Sequence, residues 1–131
     1  MHVTLARTIA GAAVATAVLS LAAPPALGRN NDDRERRGSC SGSSDWKVKV
    51  GPEDGRLEVE GEVDSNRNGQ TWRWRLSHDG SLSASGVRTT GGRSGSFEVR
   101  RTTVNMRGTD SLVFRARNTR SGELCVGTVN Y

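Results

Sequence analysis

The chain reads as all-β, about seven antiparallel strands folded into a two-sheet sandwich behind an N-terminal signal peptide. Three observations carry that expectation. Apolar and polar residues alternate with a period of two in segment after segment, which is the mark of a half-buried strand. Clusters of Gly, Asn, Asp and Ser punctuate those segments at a spacing of about a dozen residues. No segment shows the periodicity of an amphipathic helix.

The segment with the largest apolar load is Gln70 to His78, where Trp72, Trp74 and Leu76 alternate with Arg73, Arg75 and Ser77. Two indoles and a leucine on one face require a core opposite them. If the indoles pointed outward, Arg73 and Arg75 would be buried without an obvious acidic partner, which is costly. Trp72 and Trp74 are therefore expected inside, with Trp46 the indole expected to stay partly exposed.

Taken in order, residues 1–28 read as a signal peptide: His2 and Arg7 precede an apolar run from Thr8 to Ala23, and small residues follow at Ala26 and Gly28. The run is shorter than the roughly 20 residues that span a bilayer, so the expectation is export and a secreted, extracellular product. Residues 29–44 form a basic arm, with Arg34, Arg36 and Arg37, and a Ser/Gly linker; lacking apolar residues to bury, they are expected to be disordered. Residues 45–131 are expected to form the β-sandwich domain.

Within that domain Trp46, Val48 and Val50 alternate with Lys47 and Lys49 before the turn residues Gly51 to Gly55. Leu57, Val59, Gly61 and Val63 then alternate with Glu58, Glu60 and Glu62, so a hairpin should set lysines opposite glutamates. Asp64 to Gly69 is a turn leading to the tryptophan strand, and His78 to Ser81 is another. Asp64, Asn66, Asn68 and Gly69 match the first half of a calcium loop, yet Arg75 stands where a bidentate Glu is needed, so a plain turn is favoured over a calcium site at Asp64 to Gly69. Leu82 to Thr90 is short of large residues and is expected at a sheet edge. Phe97 and Val99 lead a strand toward Val104, Leu112, Phe114 and Ala116 mark the sixth, and Cys125, Val129 and Tyr131 share a face of the seventh.

From Cys40 onward only 26 of 92 residues are apolar, thin for a domain of this size. Cys40 and Cys125 are the only cysteines, and an exported chain meets oxidising conditions, so a disulfide is expected. Zinc would require more His and Cys company than the sequence offers.

The stretch Gly108-Thr109-Asp110-Ser111-Leu112-Val113-Phe114-Arg115-Ala116 resembles the loop and sixth strand of immunoglobulin-like and fibronectin type III-like domains of secreted bacterial proteins. The resemblance implies an immunoglobulin-like sandwich, although the cysteines here tie the start of the domain to its last strand, unlike antibody domains. The basic set of 17 Arg and 2 Lys, the signal segment and the phrase Asp64-Ser-Asn-Arg-Asn-Gly-Gln-Thr-Trp72 resemble small secreted proteins of actinobacteria. That resemblance brings no activity with it.

With the tryptophans inward, Arg73 and Arg75 face solvent, and by the same phase so do Arg115 and Arg117. In an immunoglobulin-like order the third and sixth strands are neighbours, which would gather these four arginines into one basic patch and leave Glu58, Glu60 and Glu62 on the other sheet. The functional expectation is a secreted, non-enzymatic binding module that docks through this face onto an anionic partner: a cell-wall polymer, a polysaccharide, a lipid surface or a secreted protein. Specific nucleic-acid recognition is not expected, because aromatics are not interleaved outward on the basic face. No cofactor, metal or catalytic residue is expected: after the signal segment His78 is the only histidine, it sits beside Asp79-Gly80 in a turn, and no nucleophile elbow occurs.

The alternative reading is a small secreted inhibitor of an extracellular hydrolase, a protease or amylase. Trp72-Arg73-Trp74 is similar to the Trp-Arg-Tyr motif of the tendamistat family of amylase inhibitors. That family has four cysteines and displays its motif at a turn. Here the motif lies mid-strand, and the loop Gly91 to Gly95 with Arg93 is the other segment an inhibitor could present.

Overall fold

Alternation becomes strand throughout the computed structural model, which describes residues 32–131. Eight strands follow one another: β1 (Arg34–Ser39), β2 (Asp45–Glu53), β3 (Arg56–Asp64), β4 (Thr71–His78), β5 (Ser81–Thr89), β6 (Ser96–Thr103), β7 (Ser111–Asn118) and β8 (Leu124–Asn130). They pair antiparallel in two four-stranded sheets, ordered β1-β2-β3-β6 and β5-β4-β7-β8, and the described residues contain no helix. The signal-peptide reading of residues 1–28, and Arg29 to Asn31 of the expected arm, lie outside the described residues.

Between the sheets lie the inward residues of both: Trp72, Trp74 and Leu76 of β4, Leu112, Phe114 and Ala116 of β7, Val48 and Val50 of β2, Leu57, Val59 and Val63 of β3, and Phe97 and Val99 of β6. Trp72 and Phe114 are fully buried. The indole N–H groups of Trp72 and Trp74 find no acceptor among the described residues, so these rings contribute apolar area rather than hydrogen bonds. Close approach between sheets is bought with glycine. A Cβ on Gly61 would stand 2.5 Å from the Phe114 ring, and one on Gly127 would stand 2.4 Å from the half-buried ring of Trp46.

Two hairpins turn on Asp-Gly pairs with positive φ at both residues, Asp54 (48°) and Gly55 (77°), Asp79 (48°) and Gly80 (82°). Two-residue turns of this kind match the strand twist, which is why the sequence signal was strong. Between Asp64 and Gly69 the Asn66 N–H donates to Asp64 Oδ1 at 3.1 Å, an ordinary side-chain-capped turn. The weak strand β5 lies at a sheet edge, as expected. β6 stops at Thr103, one residue short of Val104, which is exposed in the loop that follows.

The expectation of a disordered arm over residues 29–44, and of seven strands, is corrected by β1. Its backbone pairs with the edge of β2 from Arg34↔Val50 to Ser39↔Asp45. A segment without apolar side chains is held here by main-chain ladder bonds, by the ion pair of Asp33 with Lys49 at 2.9 Å, and by Gly38, whose missing Cβ lets the Trp46 indole lie against it. The disulfide Cys40–Cys125 then ties the end of β1 to β8 across 85 residues of sequence.

Closing so long a loop restricts the unfolded chain, with roughly 4 to 5 kcal/mol as the upper bound in the chain-entropy model. Replacing both cysteines by Ala is expected to lower unfolding free energy by about 3 kcal/mol. Urea unfolding followed by tryptophan fluorescence measures it, and an unchanged midpoint would remove the bridge from the account of stability.

Candidate functional site

The phase of β4 is fixed by its two buried indoles, so Arg73 and Arg75 emerge on the solvent side of the sheet. β7 buries Leu112, Phe114 and Ala116, and therefore presents Arg115 and Arg117 on the same side. The strands are neighbours, and their register sets Arg73 directly opposite Arg117 and Arg75 directly opposite Arg115. Facing residues in such a ladder have Cβ atoms about 5 Å apart, and successive outward residues on one strand lie about 7 Å apart. Four outward arginines thus spring from one small area of the sheet.

The strands of this sheet offer them no carboxylate. The four strands of this sheet carry five arginines, these four and Arg88, and no Asp or Glu. No ion pair among the described residues includes Arg73, Arg75, Arg115 or Arg117. Aliphatic side chains border them. Val87 of β5 stands opposite Arg73 and Leu82 opposite Ser77, both about half exposed, while Leu124 and Val126 of β8 stand opposite Arg117 and Arg115. A shallow groove of about 410 Å³ runs between Arg73, Arg75, Leu82 and Val87.

The other sheet shows what paired charge looks like in the same molecule. Lys47 lies opposite Glu62 and Lys49 opposite Glu60, the hairpin arrangement the sequence suggested. Lys47 Nζ reaches Glu62 at 2.7 Å and Glu60 at 3.3 Å, and Arg100 reaches Glu60 at 3.3 Å and Glu98 at 2.8 Å. Burial disfavours the charged form of Glu60, but hydrogen bonding with Glu98 and Lys47 and the charges of Lys47 and Arg100 more than offset it. Its carboxyl is held below the ordinary value. Arg101 on the same edge strand lies over the Trp74 ring, 4.9 Å from its centroid.

Compared with protein-family models, with curated proteins and with solved structures, the chain matches none of them. The site therefore stands on its own geometry.

His78 is not the turn residue the sequence suggested. It ends β4 in the same inward phase as Trp72, Trp74 and Leu76 and is buried. Its Nε2 is hydrogen-bonded to Asp110 Oδ1, and its Nδ1 lies 3.0 Å from Thr103 Oγ1. Asp110, fully buried, comes from the loop before β7 and also accepts the Met106 N–H at 3.2 Å. The phase of the tryptophan strand could have placed His78 inside. Nothing in the sequence joins it to a carboxylate 32 residues away. The order Asp110, His78, Thr103 has the connectivity of a catalytic triad, but the Thr103 hydroxyl is buried at the end of the core and is not presented to a substrate. The three residues clamp β4, β6 and the β6–β7 loop together.

Two outcomes follow for variants of these residues. His78→Ala removes the partner of a buried carboxylate and is expected to cost about 3 to 5 kcal/mol in chemical denaturation. Arg75→Ser with Arg115→Ser relieves a pair of facing like charges and is expected to raise stability by about 0.5 kcal/mol at low salt. A fall in stability of that double variant would show that the arginines are engaged within the fold.

Proposed function

We propose that the outer face of the β5-β4-β7-β8 sheet is the working surface of a secreted, non-enzymatic binding module, and that its partner is an anionic component of the cell envelope or its surroundings. The observation that carries this reading is the register that sets Arg73 opposite Arg117 and Arg75 opposite Arg115 on neighbouring strands of a sheet whose strands carry no acidic residue. Facing like charges cost stability, and a solvated face needs no such clustering. Phosphate or carboxylate groups spaced along a polymer or packed on a lipid surface would accept hydrogen bonds from these guanidinium groups, two at a time.

Export fits the same reading. The signal-peptide pattern of residues 1–28 and the Cys40–Cys125 bridge both belong to an oxidising compartment. The strand order, with β2, β3 and β6 in one sheet and β5, β4, β7 and β8 in the other, supports a fibronectin type III-like reading of the sandwich, to which β1 adds an edge strand. The inhibitor reading draws no support from Trp72-Arg73-Trp74, because both indoles are inside and only Arg73 is displayed.

Co-sedimentation of the oxidised protein with isolated cell wall, anionic polysaccharide and anionic vesicles tests the proposal. Retention is expected to weaken by about tenfold or more from low to high salt, and to be lost when Arg73, Arg75, Arg115 and Arg117 are replaced by Ser. Retention that ignores salt, or that survives the fourfold replacement, would overturn it.

A further inference from the structure

At the end of the sandwich opposite the disulfide's turn, the chain gathers a second set of groups that the arginine face does not use. His78 closes β4, Asp79 opens the Asp-Gly turn after it, and Asp110 comes from the loop leading into β7. One ligand-type atom from each, the imidazole nitrogen and a carboxylate oxygen from each aspartate, lies within 4.8 Å of the others. We propose that His78, Asp79 and Asp110 form a binding site for a divalent transition-metal cation, with Zn²⁺ the best fit.

The far atom of every one of these groups is already held. His78 Nδ1 is engaged by Thr103 Oγ1 at 3.0 Å, Asp79 Oδ1 accepts the Ser111 N–H at 2.8 Å, and Asp110 Oδ2 accepts the Met106 N–H at 3.2 Å. The inner atoms turn toward a common place: His78 Nε2 and Asp110 Oδ1, hydrogen-bonded to each other, and Asp79 Oδ2 beside them. Ligands oriented by outer partners in this way are the usual construction of metal sites.

Asp79 separates this reading from a plain buried ion pair. A hydrogen bond between His78 and Asp110 satisfies both groups and needs nothing more. A second carboxylate turned toward the same nitrogen, with Oδ2 at 3.5 Å from Nε2, is superfluous to that pair. Tetrahedral zinc with ligands at about 2.1 Å holds them about 3.4 Å apart, which the Nε2 to Asp79 separation already matches. Binding would replace the hydrogen between Nε2 and Asp110 with the ion and open that contact to the same spacing.

Charge argues in the same direction. The chain has 19 basic and 14 acidic side chains, yet no Lys or Arg among the described residues forms an ion pair with Asp79 or Asp110. Two carboxylates face a single imidazole, which carries at most one positive charge, and a divalent cation completes the balance. An imidazole with two carboxylates suits zinc better than calcium or magnesium, which prefer oxygen alone. A groove of about 380 Å³ lined by His78, Asp79, Ser81, Ser83 and Met106 supplies a way in and room for a water as fourth ligand.

The test uses the oxidised full chain without an affinity tag, titrated with Zn²⁺ in a calorimeter and with Co²⁺ in a spectrophotometer. Asp79→Asn replaces the carboxylate oxygen that accepts the Ser111 N–H with an amide oxygen that can do the same, and Asn tolerates the positive φ at this position, so the variant should fold while losing one anionic ligand. Expected are one-to-one zinc binding, the intense visible absorption of tetrahedral Co²⁺, a raised melting temperature, and affinity at least about tenfold weaker in Asp79→Asn. In parallel, the ring nitrogen resonances of His78 in the native chain should move on zinc addition, a readout that does not depend on the variant. Absence of zinc binding, equal affinity in Asp79→Asn, or His78 resonances that stay in place as zinc binds would each overturn the assignment.

Discussion

Burial of the Trp72 and Trp74 indoles on one side of β4 is the constraint from which the rest of this structure follows. Each is a large apolar load with its N–H left without an acceptor among the described residues, and only a closed two-sheet core removes both from water. Strand pleat then leaves no choice for their neighbours: Arg73 and Arg75 must face out, and His78 must face in. The outward basic face and the inward histidine cluster are two consequences of one packing decision.

The molecule treats its two faces differently. On the β1-β2-β3-β6 sheet, lysines, arginines and glutamates interlock, and Glu60 is deeply enough placed to depend on Lys47 and Arg100. On the other sheet, arginine stands opposite arginine, and no ion pair among the described residues includes them. Surface ion pairs of the first kind add little stability one by one, yet they help fix register. Facing arginines of the second kind oppose folding by a small amount, and a fold keeps such a feature most readily where a ligand supplies the missing charge. The stability of the paired sheet and the disulfide tolerate that local cost.

How the thin core suffices is also physical. Gly61 admits the Phe114 ring, and Gly38 and Gly127 admit the Trp46 ring, so a few large side chains fill much of the space between the sheets. The same economy explains β1. It contributes no apolar residue, so reading for burial could not find it. It exists because an edge of β2 was free to pair, because Gly38 fits under an indole, and because Cys40 is anchored to β8.

Seven of the eight strands, the Asp-Gly turns, the cysteine pair and the outward phase of the four arginines were legible in the sequence, because each depends on residues close together or on a period of two. Residues far apart in sequence were not. That Arg73 meets Arg117 and Arg75 meets Arg115, rather than being displaced by two, is a matter of register between β4 and β7, which only the packed core sets. That Asp110 and Thr103 close on His78 depends on where the end of β6 and the loop after it land at the end of the sandwich. The sequence by itself determined the strands and the side on which each residue falls, since alternation is local. Only the tertiary structure decided which charges share a neighbourhood, since that follows from pairing segments dozens of residues apart.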